Sequence, residues 1–573
     1  MSGAAAFMAG GAPSGEDAVN SRVPGPVRRL RGRTHQEVHR MIQARDALPY
    51  ARFAARFRRY LRTPLDAPAA RAAAVHRLGR REAALVEVLD RCVYPHPRSP
   101  YARLLALAGC ERGDVVRMLG EDGVEGTLSR LAASGVYVAV EEFKGNEEAR
   151  RGSARLAFAE PDFDNPGLAH ELEVQSGGTR SAGTRVLVKL EFTAALASDT
   201  GVLFDEYGLW NHAQAIWLPF GGGASVALLV YAKLARIPVR WFSHVDGAEV
   251  NPRFRWGARF VSLWGRLCGA PLPTPEFAPL SASPRVARWM ADMVSSGRPP
   301  CVTTYASSAV RAARDATEQK LSLEGAAFIT IGEPLTEAKR AIIEASGARV
   351  IVRYAMTEAG IIGYGCGTGA GSDDVHLLRT NLAAIQRPTR VGGDVEVEGF
   401  LFTSLLTSAP KILLNVSSGD YGTLEDRGCG CLLGELGYRT HIGQIRSFEK
   451  LTGEGVTFAK SSLLRVLEEV LPGRFGGQPT DYQLVEREGA GGLTRLTLMV
   501  HPGIGAVDER ELKDVFLHNV GWGDGAMKAM QSVWQQADIL EVRRAVPIST
   551  KMGKVQPFHL ERKKATTTQA PAA

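Results

Sequence analysis

The sequence has no apolar run long enough to cross a membrane as a helix. Its longest such run, around residues 224–232, is far short of the roughly 20 residues that a span requires. The N-terminal residues lack both a basic start and a sustained apolar stretch, so we expect no secretory signal peptide. Cysteine is scarce, with 7 among 573 residues, which argues against a disulfide framework and favours a reducing, cytoplasmic location.

Positive charge is in excess, but little of the excess belongs to the body of the chain. The net charge is +8, of which residues 1–35 contribute +3 and residues 561–573 contribute +2. The remaining +3 is spread over more than 500 residues. No strongly basic face of the kind that binds nucleic acid is indicated, and we expect neither a nucleic-acid nor a membrane partner.

Changes of pattern divide the chain into five segments. Residues 1–35 and 561–573 are of low complexity and are predicted to be disordered tails, the first of them basic. Residues 36–145 show the three- and four-residue apolar spacing of helices. Residues 146–444 form a core of alternating strand, helix and turn patterns, and residues 445–560 a smaller α+β unit.

The clearest local pattern in the core is a strand–helix–strand unit. The apolar run 326–332 is followed by the helical pattern 336–347 and a second apolar run, 348–356. This order predicts two parallel strands joined by a helix. We therefore predict the α/β class, with a large N-terminal domain of mixed sheets and helices and a small α+β C-terminal domain.

A loop of small, hydroxyl-bearing and basic residues, SGGTRSAGTR, lies between two apolar-alternating runs at 176–185. Glycine lets backbone N–H groups approach a phosphate, and hydroxyl and guanidinium groups add donors. Gly178 and Gly183 have the spacing of a P-loop, but Thr184 and Arg185 stand where that motif needs Lys and Ser or Thr. Taken alone, the loop is consistent with an anion site or with an ordinary surface turn.

Three further motif regions follow the loop. They are GEP at 332–334 with YAMTE at 354–358, SGD at 418–420, and PISTKMGK at 547–554. In this order, the four regions resemble the adenylate-forming superfamily of acyl-CoA synthetases, adenylation domains and luciferases. The resemblance covers about residues 90 to 560. Within the superfamily, the chain is similar to the branch of phenylacetate–CoA ligases and acyl-protein synthetases, and residues 445–458 resemble ligase-like proteins of phenazine antibiotic biosynthesis.

The resemblance implies an enzyme that activates a carboxylic acid with ATP as acyl-AMP and then passes the acyl group to a thiol. Residues 146–444 would be the adenylation core and residues 445–560 a mobile lid. Positioning and electrostatic stabilisation supply most of the rate of such a reaction. The residues implied to bind ATP are Ser176, Gly177, Gly178, Thr179, Arg180, Ser181, Gly183, Thr184, Arg185, Gly332, Glu333, Pro334, Tyr354 against adenine, and Asp420 on the ribose.

Four residues are implied to act on the reacting groups or on the lid. Thr357 contacts phosphate oxygens, and Glu358 binds Mg²⁺, which prefers carboxylate and phosphate oxygens. Lys554 reaches the carboxylate and the α-phosphate from the lid, and Arg446 lies at the hinge. The plainer alternatives are that Tyr354 is ordinary core, Glu358 an acid at a helix N-terminus and Lys554 a solvated lysine.

The chain departs from the family pattern at two points. The loop carries Arg180 and Arg185 where the family usually has Lys, although a guanidinium binds phosphate well through paired hydrogen bonds. The ribose motif lacks the flanking aromatic residue and Arg that often precede Gly419 and Asp420. A degenerate nucleotide-binding protein without turnover is therefore an alternative to the ligase.

A metal site is a second hypothesis. Cys366 and His376 follow the YAMTE motif, and Cys429 and Cys431 form a CGC pair after Asp420. Three thiolates and one imidazole make a tetrahedral zinc site of the structural type, and the branch resemblance includes similar Cys-containing loops. Four reduced and unrelated side chains are an equal alternative. The remaining cysteines are expected to be small buried hydrophobes: Cys92, Cys110, Cys268 and Cys301.

The acid and its acceptor are less constrained by the sequence. Aromatic residues between the loop and the GEP motif would line an aryl pocket, although aromatic residues at turns are more often core: Trp217, Phe220, Trp241, Phe242 and His244. An aryl or arylacetic acid is implied by the resemblance. Coenzyme A is the implied acceptor, with a carrier protein, an amine or a protein thiol as alternatives. A homodimer is also an open alternative.

Overall fold

The computed structural model describes residues 55–168, 172–175, 185–219, 222–247, 252–369, 371–390, 396–447, 450–453, 456–459, 466–477, 481–488, 494–520, 540–548 and 558–560. Among these residues, no helix is both long and apolar enough to traverse a lipid bilayer. The two tails predicted from the sequence lie outside the described residues.

The strands within the described ranges are, in chain order, β1 (Ala149–Arg151), β2 (Ala154–Leu156), β3 (Leu172–Gln175), β4 (Arg185–Val188), β5 (Ala213–Trp217), β6 (Arg240–Ser243), β7 (Pro275–Phe277), β8 (Pro300–Tyr305), β9 (Ala327–Ile331), β10 (Arg349–Met356), β11 (Gly360–Gly365), β12 (Val375–Leu377), β13 (Leu382–Arg390), β14 (Glu396–Ser404), β15 (Val416–Asp426), β16 (Thr440–Ser447), β17 (Lys450–Gly453), β18 (Val456–Ala459), β19 (Tyr482–Glu488), β20 (Thr494–Val500), β21 (Leu540–Arg544) and β22 (Phe558–Leu560).

Twelve of these strands form one mixed sheet. Its parallel part has the order β7-β6-β5-β8-β9-β10, and antiparallel strands continue it as β11-β12-β16-β15-β14-β13. Strand β9 is apolar along almost its whole length because helices cover both faces of a parallel sheet. In β10, Val350 and Val352 enter one apolar cluster while Ile351 enters the other, as the alternation of side chains requires.

Helical residues 55–62 begin the described part of the chain. The further α-helices of the described ranges are Ala67–Leu78, Arg81–Val88, Pro100–Leu107, Arg112–Ala133, Val140–Lys144, Leu190–Glu206, Gly222–Lys233, Pro252–Leu267, Ser283–Ser295, Ala306–Glu318, Glu337–Glu344, Leu432–Glu435, Leu471–Phe475 and Glu509–Val520. The helix Glu337–Glu344 joins β9 to the parallel strand β10, so the predicted strand–helix–strand unit is confirmed. Its start is fixed by Thr336, whose hydroxyl accepts a hydrogen bond from the Lys339 N–H.

Smaller sheets complete the fold. Strands β3 and β4 form an antiparallel hairpin that brackets the glycine-rich loop, and Gln175 is paired with Arg185 at its end. Strands β19 to β22 form a four-stranded sheet of order β21-β20-β19-β22. Strand β16 belongs to the large sheet and extends three residues past the predicted boundary after residue 444. The division into domains remains a prediction.

One buried carboxylate connects distant parts of the chain. Asp199, in the long helix before β5, is completely buried and accepts hydrogen bonds from four residues. Nη2 of Arg77 lies 3.1 Å from each carboxylate oxygen. The hydroxyls of Thr380 and Tyr438 donate to Oδ1 at 2.9 and 2.7 Å, and the amide of Asn381 donates to Oδ2 at 2.7 Å. A buried charge is tolerated because every lone pair finds a donor.

Replacing Asp199 with Asn should destabilise the protein strongly. The substitution keeps the shape but leaves the charge of Arg77 without its carboxylate, and breaking a buried pair in this way costs about 3–5 kcal/mol. The free energy of the first unfolding transition in urea measures the effect. Asp90→Asn is the matched control, because its ion pair with Arg112 is exposed and should be worth under about 1 kcal/mol. Equal losses in the two variants would contradict the role assigned to Asp199.

Candidate active site and metal centre

Two residues of the predicted nucleotide site lie in direct contact. Tyr354 is near the end of β10 and Asp420 is in β15, and the tyrosine hydroxyl donates to Oδ2 of the carboxylate at 2.7 Å. Burial raises the pKa of Tyr354, and the nearby Asp420 carboxylate raises it further, so the phenol stays protonated and acts as the donor. Gly419 reaches a φ of 77°, a backbone conformation that favours glycine. Gly419 lies where the pairing of β15 with β14 shifts register, directly before Asp420.

Thr357 and Glu358 occupy the turn between β10 and β11. Thr357 is exposed and Glu358 is half-buried. Gly360 begins β11 with a φ of 77°, and a side chain there would collide with the ring of Phe192. The turn is therefore packed on the long helix before β5. It leaves Thr357 at the surface and Glu358 half-buried.

Of the GEP segment, Glu333 is buried, whereas Gly332 and Pro334 are exposed. Gly332 has a φ of 76°, which turns the chain after β9. The carboxylate of Glu333 is buried, accepts from the N–H and hydroxyl of Ser307 at 3.0 and 2.7 Å, and pairs with Lys339 at 3.4 Å. The carbonyl of Pro334 accepts from the same ammonium at 3.2 Å. These contacts fix the segment at the end of β9, and its predicted contact with ATP remains a prediction.

Several predicted residues cannot be placed. The loop residues 176–184 lie outside the described residues, and so does Lys554; for Arg185 only the backbone of β4 is described. Arg446 lies in β16, opposite Tyr421 of β15, and its guanidinium contacts Oδ2 of Asp373 at 3.0 Å. Since Asp373 also accepts the backbone N–H groups of Gln444 and Ile445, it holds this end of β16 in place.

The structure brings the four predicted metal-binding side chains together. Cys366 follows β11, His376 is in β12, and Cys429 and Cys431 precede the short helix Leu432–Glu435. The sulfur of Cys431 lies 3.3 Å from that of Cys429 and 3.9 Å from that of Cys366. Nε2 of His376 lies 3.6 and 3.0 Å from the sulfurs of Cys429 and Cys431.

These distances lie within about 0.5 Å of those between the ligands of a tetrahedral zinc ion. Bonds of about 2.3 Å to sulfur and 2.0–2.1 Å to nitrogen place two sulfurs about 3.8 Å apart and a sulfur and a nitrogen about 3.5 Å apart. His376 is also oriented for coordination, because its Nδ1 lies 2.6 Å from the carbonyl oxygen of Tyr438. A proton on Nδ1 donates to that carbonyl and leaves the lone pair of Nε2 facing the cysteines.

One member of this cluster was missed by the sequence analysis. His441 is paired with His376 across β12 and β16, and a ring nitrogen of each histidine lies within 4.8 Å of the sulfurs of Cys366 and Cys429. The sequence signal for His441 is its position ten residues after Cys431. That position indicates a metal ligand only when β16 is known to lie beside β12.

The aromatic residues proposed for an aryl pocket are packed as core. Trp217, Trp241 and Phe242 are buried, and the two indole N–H groups donate to the carbonyls of Ala278 and Leu218 at 3.0 Å each. Phe220 lies outside the described residues. The alternative that these side chains are structural therefore has direct support.

His244 is enclosed in the same region. Its imidazole is stacked between the rings of Trp217 and Tyr305, with centroids 5.0 and 5.6 Å away, and its Nε2 lies 3.1 Å from the Ser308 hydroxyl. Burial, together with the charge of Arg311, lowers the pKa of His244 to about 3. The imidazole is therefore neutral at physiological pH.

Comparisons with known proteins give a likeness in structure only. No family model and no curated protein sequence matches the chain. The chain is similar to 2-hydroxyisobutyryl-CoA ligase solved in complex with 2-HIB-AMP and CoA, with a TM-score of 0.53 and 15% identity over 85% of this chain and 89% of that one. The same ligase in its postadenylation state gives a TM-score of 0.44 at 17% identity, over the same shares of the two chains.

A double mutant of o-succinylbenzoate CoA synthetase from Bacillus subtilis is a more distant likeness. Its TM-score is 0.35 at 13% identity, over 67% of each chain. The first comparison, with its TM-score of 0.53, shows a shared fold. The predicted fold class, a large domain of mixed sheets and helices with a smaller α+β part, is thereby confirmed.

The buried His244 should make the protein sensitive to acid. The unfolded chain takes up a proton near pH 6.5, but the folded protein resists it down to about pH 3, so stability is complete above pH 6.5 and is lost as the pH falls. Between pH 6.5 and pH 5 this group should remove about 2 kcal/mol. Urea unfolding of wild-type and His244→Gln protein at several pH values measures it. The variant should lose less stability over that interval, and parallel curves would contradict the assignment.

Proposed function

We propose that the protein is an enzyme that uses ATP to activate a carboxylic acid as acyl-AMP and then transfers the acyl group to a thiol, with coenzyme A as the main candidate acceptor. The observation that carries this proposal is the contact between Tyr354 and Asp420. The sequence motifs assign one residue to adenine and the other to ribose, and the structure places the two side chains 2.7 Å apart although they are 66 positions apart in the chain.

The assigned roles agree with the chemistry of these side chains. A carboxylate accepts the two hydroxyls of a ribose, and the hydroxyl of Tyr354 fixes the orientation of the Asp420 carboxylate before nucleotide binds. The ring of Tyr354 also lies 6.2 Å from that of the buried Phe402, which supports it from the interior. Adenine would pack against the ring of Tyr354.

The phosphates would lie at the outer turn between β10 and β11. Thr357 is exposed there and offers a hydroxyl, and Glu358 offers a carboxylate for Mg²⁺, which would add positive charge against the phosphates. The glycine-rich loop, carried by the β3–β4 hairpin, would supply N–H, hydroxyl and guanidinium donors. Lys554 would neutralise charge on the α-phosphate and the carboxylate while the acyl-AMP bond forms.

The finer parts of the proposal rest on the sequence motifs. They are the phenylacetate–CoA ligase branch, the link to phenazine biosynthesis, the aryl or arylacetic substrate and the hinge role of Arg446. The ligase with the same fold was solved with 2-HIB-AMP and CoA, which supports an adenylate intermediate and a thiol acceptor. A carrier protein, protein thiol or amine remains an alternative acceptor.

Replacing Lys554 with Ala should lower adenylate formation by about 10²–10³-fold, because removing one charge-stabilising donor typically costs that much. Pyrophosphate release with ATP and Mg²⁺, over a panel of aryl, arylacetic and fatty acids, measures the rate, and binding of ATP should change little. Lys551→Ala is the matched control, since it removes a neighbouring lysine outside the motif register. Coenzyme A should accelerate release for the preferred acid.

Other outcomes of this assay separate the alternatives. Full activity in Lys554→Ala protein would remove that residue from the mechanism. Acid-dependent release that ignores coenzyme A would favour a carrier protein or an amine as acceptor. Measurable ATP binding without pyrophosphate release for any acid would favour the degenerate nucleotide-binding protein.

A second proposal concerns the cysteine–histidine cluster. We infer that Cys366, His376, Cys429 and Cys431 bind one structural zinc ion, because the distances between their donor atoms suit a tetrahedral ion and His376 is oriented by the Tyr438 carbonyl. Zinc would link the residue that follows β11 and the strand β12 to the loop before β16.

Purified protein should contain about one zinc ion per chain, and a strong chelator should lower its melting temperature. Metal content by mass spectrometry and thermal unfolding measure the two effects. Cys366→Ser should lose most of the metal, whereas Cys110→Ser, at a half-buried cysteine away from the cluster, should keep it. Protein that folds with the same melting temperature without metal would refute the zinc proposal and leave the ligase proposal standing.

A further inference from the structure

His441 is a fifth donor beside the four residues proposed to bind zinc. It is buried, and its ring centroid lies 4.1 Å from that of His376. One ring nitrogen of His441, one of His376 and the sulfurs of Cys366 and Cys429 all lie within 4.8 Å of one another. The cluster therefore offers three sulfurs and two imidazoles, one donor more than a tetrahedral ion takes.

The neighbours of His441 indicate which of its nitrogens carries the proton. Nδ1 lies 2.9 Å from Oδ1 of Asp374, and Arg427 pairs with the same carboxylate. A carboxylate accepts hydrogen bonds, so a proton on Nδ1 donates to Asp374. The guanidinium of Arg427, which also lies 2.9 Å from Nδ1, donates to the same carboxylate. In this arrangement the lone pair is on Nε2.

Nε2 of His441 is buried and has no hydrogen-bond partner among the described residues. An unpaired buried nitrogen is costly unless something else satisfies it. A histidine whose Nδ1–H is held by a carboxylate, with Nε2 buried and unpaired in a cluster of thiols, has the arrangement of a metal ligand and its supporting carboxylate. Asp374 thus accepts a hydrogen bond from Nδ1 of His441 and orients its ring, as the Tyr438 carbonyl does for His376.

Cys431 is the donor that His441 can replace. Its sulfur also accepts the N–H of Gly434 at 3.4 Å and so caps the helix Leu432–Glu435, a role that the other two cysteines do not have. We propose that His441 is a ligand of this centre, able to take the place of Cys431, so that zinc is held by Cys366, His376, Cys429 and either Cys431 or His441. This inference rests on the proposed zinc centre and is independent of the ligase activity.

The test counts metal and sulfur ligands in four proteins, each analysed as the full chain. Cys431→Ser, which keeps an oxygen to cap the helix, should retain about one zinc per chain, with X-ray absorption showing two sulfur ligands instead of three. The cobalt-substituted variant should lose about one third of its thiolate charge-transfer absorption, since two of three thiolates remain. His441→Gln should retain zinc with three sulfurs, and the double variant should lose it.

His376→Gln is the matched control, because His376 belongs to both ligand sets and its loss should weaken binding by itself. Loss of zinc from Cys431→Ser alone, or retention by the double variant, would overturn the inference. If Cys431→Ser does not fold, zinc transfer to a chelator decides: it should be several-fold faster from His441→Gln than from wild-type protein, and equal rates would overturn the inference. Wild-type protein that binds neither zinc nor cobalt would overturn both metal proposals, whereas pyrophosphate release tests the ligase separately.

Discussion

The buried carboxylate of Asp199 is the constraint on which the arrangement of the candidate metal centre depends. It joins an N-terminal helix, the turn before β13 and the segment before β16 to the long helix Leu190–Glu206. At the end of the same helix, Glu206 accepts the N–H of Leu432 at 2.6 Å, beside the CGC pair. One helix therefore fixes both ends of segment 432–438, which directly follows the CGC pair. Only the folded arrangement supplies the donors that an interior charge needs.

Tyr438 transmits this constraint to the metal centre through two different groups. Its hydroxyl donates to Asp199, while its backbone carbonyl accepts Nδ1 of His376. The side chain of Tyr438 is fully buried, so neither group can move without the other. The imidazole of His376 is consequently oriented in the absence of any metal, and the entropic cost of arranging ligands is met during folding.

The sequence predicted what depends on local pattern and chain order. The β9–helix–β10 unit follows from hydrophobic periodicity, and the motif order indicated that Tyr354 and Asp420 belong to one site. His441 and Asp199 were not foreseen, because each acquires its partners only when strands or helices distant in sequence become neighbours. Glu333 shows the same limit in another way: its motif position did not indicate the buried contacts that it makes with Ser307 and Lys339.

The two candidate sites lie at opposite ends of β11, and this separates their roles. Glu358 precedes the strand and Cys366 follows it, and six extended residues span about 17–20 Å. An ion at the cysteines is therefore too distant to touch phosphates held near Glu358. Its influence must pass through the positions of strands. β11 carries the turn at one end, and β16 contains the ligand candidate His441 and, with four residues between them, the hinge candidate Arg446. A metal here would act by fixing register across these strands, since slipping β16 by one residue would turn both side chains to the opposite face.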